Sequence, residues 1–447
     1  MFLQLLTLAS LVLLPLLFFF VFKASSQPNP KTSNNTKLPK SYPIIGSFIT
    51  LYKNHERRLP WLTDLLQSSP SNTFTLHSMG KHFVVTANPT VVQHILKTHF
   101  PIYEKGNTFR TILTDLLGDG IFNADGDNWK FQRQVSSHEF NTKSLRKFVE
   151  QVVDTELSDH LIPILSTPAT NNSILDFQDI LQHFAFDNIC RIAFGYNPAY
   201  LLPSLPQAKL AVAFDDAVQI SSDSSGHSDE KFVTDIVISF TLAGRDTTSA
   251  ALTWFFWLLS QNPHVEDEIL KEISGMAELE SAAGGYDEVK EMVYTHAALC
   301  ESMRLYPTVA ADSKQAMKDD VLPDGTKVKK GMAVTYHVYA MGRMKEIWGE
   351  DWAEYRPERW LEREENGAHK WKFVGRDSFS YPVFQAGPRI CLGKEMAFLQ
   401  MKRVVSAVLK RFKVVPVERE GGAPPEFVPY LTGKMKGGFP VTIVERA

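Results

Sequence analysis

The sequence predicts a mainly α-helical body with small β-sheets, an α+β class, carried behind an apolar N-terminal helix. Three observations lead there. Apolar residues recur at helical spacing through most of the chain, strand-like runs are short, and no repeat or Gly/Ser linker divides the residues after 46. Of the 447 residues 44% are hydrophobic, enough for a large core, and 47 Lys+Arg against 50 Asp+Glu leave a net charge of −3. That balance excludes a disordered chain and a polybasic nucleic-acid binder. Three well-separated cysteines, Cys190, Cys300 and Cys391, exclude a disulfide scaffold.

The N-terminus divides into two parts. Phe2 to Phe22 is nearly all Leu, Val and Phe, interrupted only by Gln4, Thr7, Ser10 and Pro15. As a helix rising about 1.5 Å per residue it spans a hydrocarbon core of roughly 30 Å. A cleaved secretory signal is the alternative, but the apolar run is long for one and its basic residues follow the run. Residues 1–55 carry five lysines and no acid, so the positive-inside rule keeps the body on the cytoplasmic side. Residues 1–22 are thus expected to be a single-pass membrane anchor. Residues 23–46 form a polar, Pro-rich hinge ending in Leu38-Pro39-Lys40-Ser41-Tyr42-Pro43-Ile44-Ile45-Gly46, which cannot continue a helix.

Residues 47–447 read as one body. Phe177, Ile180, Leu181 and Phe184 mark a helix face, and Pro263 opens a helix carrying Val265, Ile269 and Ile273. Val289 to Leu305 predicts another, stopped by Pro307. Phe83 to Thr86 and Met332 to Tyr339 read as strands. The longest apolar helix runs from about Lys231 to Gln261 and is hydrophobic nearly all round, so it belongs in the interior. Ala243-Gly244-Arg245-Asp246-Thr247-Thr248 interrupts it with polar groups, which predicts a water- or ligand-lined groove; a bend at a helix boundary is the alternative.

Near the C-terminus stands Phe384-Gln385-Ala386-Gly387-Pro388-Arg389-Ile390-Cys391-Leu392-Gly393. This resembles the haem-binding loop of the cytochrome P450 monooxygenases, Phe-x-x-Gly-x-Arg-x-Cys-x-Gly, at all five fixed positions. Chance agreement in a chain of this length is on the order of one in ten thousand. A haem-thiolate enzyme needs one cysteine sulfur as axial ligand of haem b (iron protoporphyrin IX), pushing electron density toward O–O cleavage. The helix-compatible run from Lys394 puts Cys391 near a helix N-terminus, which favours the thiolate. Gly387 and Gly393 allow tight turns, and Arg389 suits a haem propionate.

The resemblance assigns further residues. Trp129 and Arg133, in Trp-Lys-Phe-Gln-Arg, match the helix that contacts the other propionate. Glu301 and Arg304 match the Glu-x-x-Arg pair and Arg359, in Pro-Glu-Arg-Trp, its partner in a structural triad. Alone, Glu-x-x-Arg is a weak pattern. The 243–248 stretch matches the oxygen groove, where Thr247 would hold a water or the oxygen substrate, Asp246 would feed protons toward it and Gly244 would leave room above the iron.

Longer strings, among them Asp235-Ile236-Val237-Ile238-Ser239-Phe240 and Tyr336-His337-Val338-Tyr339-Ala340-Met341-Gly342-Arg343, look like the plant fatty-acid ω-hydroxylase branch, the subfamily numbered 94. That resemblance implies hydroxylation of the terminal methyl of medium and long-chain fatty acids, or of the jasmonoyl-isoleucine hormone conjugate. By family position Phe109, Ile121, Phe122 and Val309 join Thr247 in lining an apolar pocket; Arg110 is a candidate for the carboxylate contact, with an ordinary surface arginine as the alternative. No flavin or nicotinamide motif is present, so electrons from NADPH would arrive through a separate flavoprotein, NADPH–cytochrome P450 reductase, anchored in the same endoplasmic reticulum membrane. Lys130, Lys402, Arg403, Lys410 and Arg411 are candidates for a basic docking patch, with solvated charges as the plain alternative.

One departure stands out. In the family, long helices roofing the pocket precede the distal helix, yet here only a polar stretch from Ser221 to Glu230 lies between the run Phe214–Ile220 and that helix. Two helices of about 15 to 20 residues do not fit there. An internal segment near 221–226 is expected to be missing. The chain is then either a working monooxygenase with an open pocket or a haem-binding product without turnover.

Overall fold

Helices dominate because apolar residues fall three and four apart over long stretches, and each helix buries that stripe against its neighbours. The computed structural model describes residues 38–140, 143–198, 201, 229–277, 289, 291–363 and 371–446. The expected anchor, residues 23–37 of the hinge and the 221–226 stretch lie outside them. Among the described residues no helix is long and apolar enough to cross a membrane.

The helix Phe177–Phe194 begins where the Asp176 carboxylate accepts hydrogen bonds from the amides of Gln178 and Asp179, at 3.0 and 3.3 Å. It ends at Gly195, whose φ of +65° supplies the left-handed cap. Phe177, Ile180, Leu181 and Phe184 are buried, as their spacing predicts. They pack on the longest helix, Asp229–Gln261, whose Trp254, Phe255 and Phe256 are also buried. This helix is continuous through residues 243–248, so the alternative of a bend at a helix boundary does not hold. Here Thr247 donates to the Ala243 carbonyl at 2.7 Å and Ser249 to that of Arg245 at 2.8 Å, one turn back.

Two expected boundaries shift. The helix foreseen from Val289 begins at Val293, because Met292 leaves helical geometry at φ −72°, ψ 72°. The strand foreseen over 332–339 is only Ala333–Tyr336; His337 then turns the chain and its ring nitrogen caps the short helix Val338–Met341 by accepting from the Ala340 amide. This strand is central to a five-stranded sheet ordered Thr73–Ser78, Lys81–Thr86, Ala333–Tyr336, Asp312–Ala316 and Tyr103–Glu104. The second and third strands run parallel, pairing Phe83 with Ala333, and all other neighbours are antiparallel.

A buried carboxylate ties the helices to the loops before the cysteine. Glu301, on the helix Val293–Leu305, accepts from Arg304 Nη2 at 2.7 Å and Nε at 2.8 Å, from Arg359 Nε at 3.1 Å and from the Trp360 indole at 3.0 Å. All four side chains are buried. The guanidinium groups also donate to carbonyls of Trp348, Trp352 and Glu354. Glu301, Arg304 and Arg359 thus meet in one network. Tyr381, just before the cysteine loop, donates to the Cys300 carbonyl at 2.8 Å, so the loop inherits the position of that helix.

Candidate active site

The cysteine loop is a sequence of forced turns. Pro382–Phe384 makes one 3-10 turn, Gln385 takes φ +61°, and Gly387 takes φ +65° at the start of a second turn ending at Arg389. A Cβ on Gly387 would stand 2.0 Å from the Leu96 carbonyl oxygen, so both backbone and space require glycine there. The Cys391 amide closes the loop on the Phe384 carbonyl at 2.8 Å, and the Phe384 ring rests 5.3 Å from that of Phe398. The helix Lys394–Arg411 follows, with Gly393 at its N-cap. Gly393 has φ −86°, and a Cβ there would make only an ordinary 3.8 Å contact with the Phe140 ring, so neither a tight turn nor lack of space demands glycine at this position. Its contribution is the amide, which hydrogen-bonds the Cys391 sulfur.

Cys391 is exposed by surface area, yet burial pushes its thiol up. Both follow if the sulfur sits on the floor of a recess, with protein around it and one open side. The Gly393 amide and the charges of Arg133 and Lys394 oppose burial but do not outweigh it. The protein alone therefore holds a thiol, in a setting that accepts a thiolate once a metal draws the proton off.

Cations gather beside this floor. Arg389 donates to the Ala124 carbonyl and to Asp125, both at 2.8 Å, and its guanidinium carbon lies 4.4 Å from the centre of the Trp129 ring. Asp125 is held in turn by the amides of Lys105 and Gly106 at 2.9 and 3.0 Å. Arg133 donates to the Ile390 carbonyl, next to Cys391. On the sheet, Lys105 and Lys314 share Asp312 at 2.7 and 3.3 Å, and Tyr336 donates to the same carboxylate. Burial would raise the Asp312 carboxyl, but the two lysines outweigh it and hold it well below the usual range. Burial also pulls Lys314, Arg389 and Arg133 down. Arg389 and Lys314 keep carboxylate partners, Asp125 and Asp312, while Arg133 is bonded to a carbonyl.

The distal side is the Asp229–Gln261 helix. Asp246 and Arg245 are buried, and Arg245 lies 5.6 Å from the Phe186 ring. Thr247 is half-buried. At Gly244 a Cβ would meet the Ile189 side chain at 2.6 Å, so the absent methyl lets two helices close on each other.

The family model for cytochrome P450 matches residues 37–213 and 205–433. The chain belongs to the cytochrome P450 family. Among curated relatives, it is 56% identical to cytochrome P450 94A2 and to cytochrome P450 94A1 of Vicia sativa, covering 96% of both chains in the first case and 93% and 92% in the second. Identity to cytochrome P450 94B1 of Arabidopsis thaliana is 42%, over 98% of this chain and 97% of that one. It is thus a P450 monooxygenase of the 94 subfamily. The P450 match splits near residues 205–213, and the first alignment spans 502 positions against a chain of 447, so at least 55 have no counterpart here. The discontinuity falls between the helix ending at Phe194 and the one starting at Asp229.

The residues present fit the haem that this P450 family carries. A recessed sulfur flanked by an amide donor and two cations suits an iron ligand, and a cluster of cations beside it suits a group bearing two carboxylates. Arg389, Trp129, Arg133, Lys105 and Lys314 would hold it. Lys105 and Lys314 were not singled out in the sequence. The signal is the alternation of the Asp312–Ala316 strand, which puts Asp312 and Lys314 on its buried face. Lys314→Met is expected to weaken haem retention about ten- to a hundred-fold, the worth of one charge-assisted hydrogen bond of about 1.5–3 kcal/mol. Transfer of haem to apomyoglobin measures it; an unchanged rate would mean that Lys314 serves only Asp312.

Other expected residues fall as follows. Phe109 packs on Leu113, Leu116, Leu117 and Leu242 beneath the Lys105 ammonium; Ile121 and Val309 are half-buried and Phe122 is exposed. Arg110 is paired with Asp119 at 2.8 Å. Of the docking cations, Lys402 is buried and donates to the Val289 carbonyl, and Arg403 binds Glu150 and Asp154. These two cannot serve a patch, because both are spent inside the fold; Lys410 and Arg411 are exposed.

Proposed function

We propose that this chain hydroxylates the terminal methyl of medium and long-chain fatty acids, taking electrons from NADPH through a separate flavoprotein reductase while residues 1–22 anchor it in the endoplasmic reticulum membrane. The observation that carries the reading is the Cys391 floor beside the cation cluster of Arg389, Arg133, Lys105 and Lys314, in a chain of the 94 subfamily. Haem, when bound, supplies the activation of O2 that puts one oxygen atom into a C–H bond while the other leaves as water, two electrons coming from NADPH.

The protein's own groups have distinct tasks. Cys391 gives the sulfur, and the Gly393 amide with Arg133 and Lys394 stabilises its negative charge. Arg389 and Lys314 orient the ligand through its carboxylates. Thr247, its hydrogen spent on Ala243, presents oxygen lone pairs and holds a water in place, and Asp246 one residue earlier is the proton source. Turnover of lauric and oleic acids with NADPH and reductase tests the activity, with ω-hydroxy acid as the expected product. Thr247→Ala is expected to keep the spectrum but consume oxygen and NADPH largely without product. Full coupling in that variant sinks the role of its hydroxyl.

A second reading has its own support. The split family match and the 55 or more missing positions favour a haem-binding product whose pocket roof is incomplete. A sound spectrum without hydroxy acid, from lauric acid or from jasmonoyl-isoleucine, selects it.

A further inference from the structure

A second group of ligating side chains lies behind the cysteine loop. Residues His94–Thr98 form a π-turn, closed by the His99 amide on the His94 carbonyl at 2.8 Å. An α-helix turns about 100° per residue and would carry residues five apart to different faces. The wider π-turn stacks them, and the His94 and His99 rings stand 3.9 Å apart between centroids. Both address one carboxylate oxygen, Oδ2 of Asp320, His94 through Nε2 at 2.8 Å and His99 through Nδ1 at 3.2 Å. The Tyr103 hydroxyl donates to the same oxygen at 2.9 Å and fixes its direction. The three ligand atoms lie within 4.8 Å of one another.

We propose that His94, His99 and Asp320 bind a divalent transition-metal ion of the zinc class, with the fourth position left to water. Two imidazoles and one carboxylate are a donor set that suits zinc, and two histidines with four residues between them fall in the usual ligand spacing. Ligand bonds of about 2.0–2.1 Å put tetrahedral donor atoms about 3.3 Å apart. The observed 2.8 and 3.2 Å need only small displacements. On binding, each imidazole turns a lone pair to the metal and carries its proton on the other ring nitrogen, while Asp320 stays a carboxylate. His94 and Asp320 are each only 11% exposed and His99 41%, so the ion enters beside His99.

The site joins parts far apart in sequence. It pins the 94–103 segment to the hairpin of Asp320–Val321 and Lys327–Val328. The same π-turn packs its Leu96 carbonyl against Gly387, closely enough that a Cβ there would stand 2.0 Å away, so an ion bound to the turn stiffens the support under the cysteine loop.

The test uses the full-length haem-loaded protein, stripped over a chelating resin and titrated with Zn2+ against a chromogenic chelator. One equivalent is expected to bind and to raise the thermal midpoint. His99→Ala, at the most exposed ligand, and Asp320→Asn are expected to weaken binding at least about ten-fold while retaining haem. His77→Ala, which breaks a second close histidine pair, His77 with His82, is expected to bind as the parent does. No binding by the parent, or parental affinity in both His99→Ala and Asp320→Asn, overturns the site.

Discussion

Cys391→Ala is expected to abolish the thiolate-type band of the reduced carbon-monoxide complex and all hydroxylase turnover. No other sulfur can take its place. Cys190 and Cys300 are buried, and burial pushes both thiols up to about 12, so neither offers a thiolate near neutral pH. The fold should survive, because the loop is closed by the backbone bond from residue 391 to Phe384 and by the turns at Gln385 and Gly387, none of which uses the side chain. The variant should therefore be soluble, with far-ultraviolet circular dichroism like that of the parent. A persisting band in a folded variant would remove Cys391 from the site.

Glu301→Gln has the largest expected effect on stability. The carboxylate is the shared partner of two buried guanidinium groups, Arg304 and Arg359, and an amide in its place leaves them facing a neutral group. Removing one member of a buried ionic network costs about 3–5 kcal/mol. A domain holds only about 5–15 kcal/mol in total. The variant should unfold at much lower denaturant concentration and load little haem, because Tyr381 hangs the cysteine loop from the same helix at the Cys300 carbonyl. A loss under about 1 kcal/mol would show that the hydrogen bonds, and not the charge, hold the hub.

What the sequence revealed depended on whether the signal was local. The cysteine loop was legible because five of its residues, Phe384, Gly387, Arg389, Cys391 and Gly393, fall at set spacings within ten positions. The Phe177–Phe194 and Asp229–Gln261 helices were legible through repeated apolar spacing. Glu301, Arg304 and Arg359 were found only because two short patterns were read together; neither says that they meet. The cation cluster was hidden, since Lys105, Asp125, Asp312 and Lys314 become neighbours only when a sheet and a helical segment fold together. The packing of Gly244 on Ile189 was hidden for a similar reason, the two being 55 positions apart in different helices. The stacking of His94 on His99 needs a π-turn, which apolar periodicity does not distinguish from an α-helix.

The partners of Arg389 have a consequence for how the protein is made. Asp125 precedes Arg389 by 264 residues, and Arg133 precedes Ile390 by 257. At about 5–20 residues per second, roughly 13–50 s pass on the ribosome between the appearance of the two halves of the cradle. Throughout that interval the first half waits without the sulfur. Cofactor insertion therefore belongs to the end of synthesis, and a ribosome-bound chain stalled before Arg389 should emerge colourless however much haem the cell supplies.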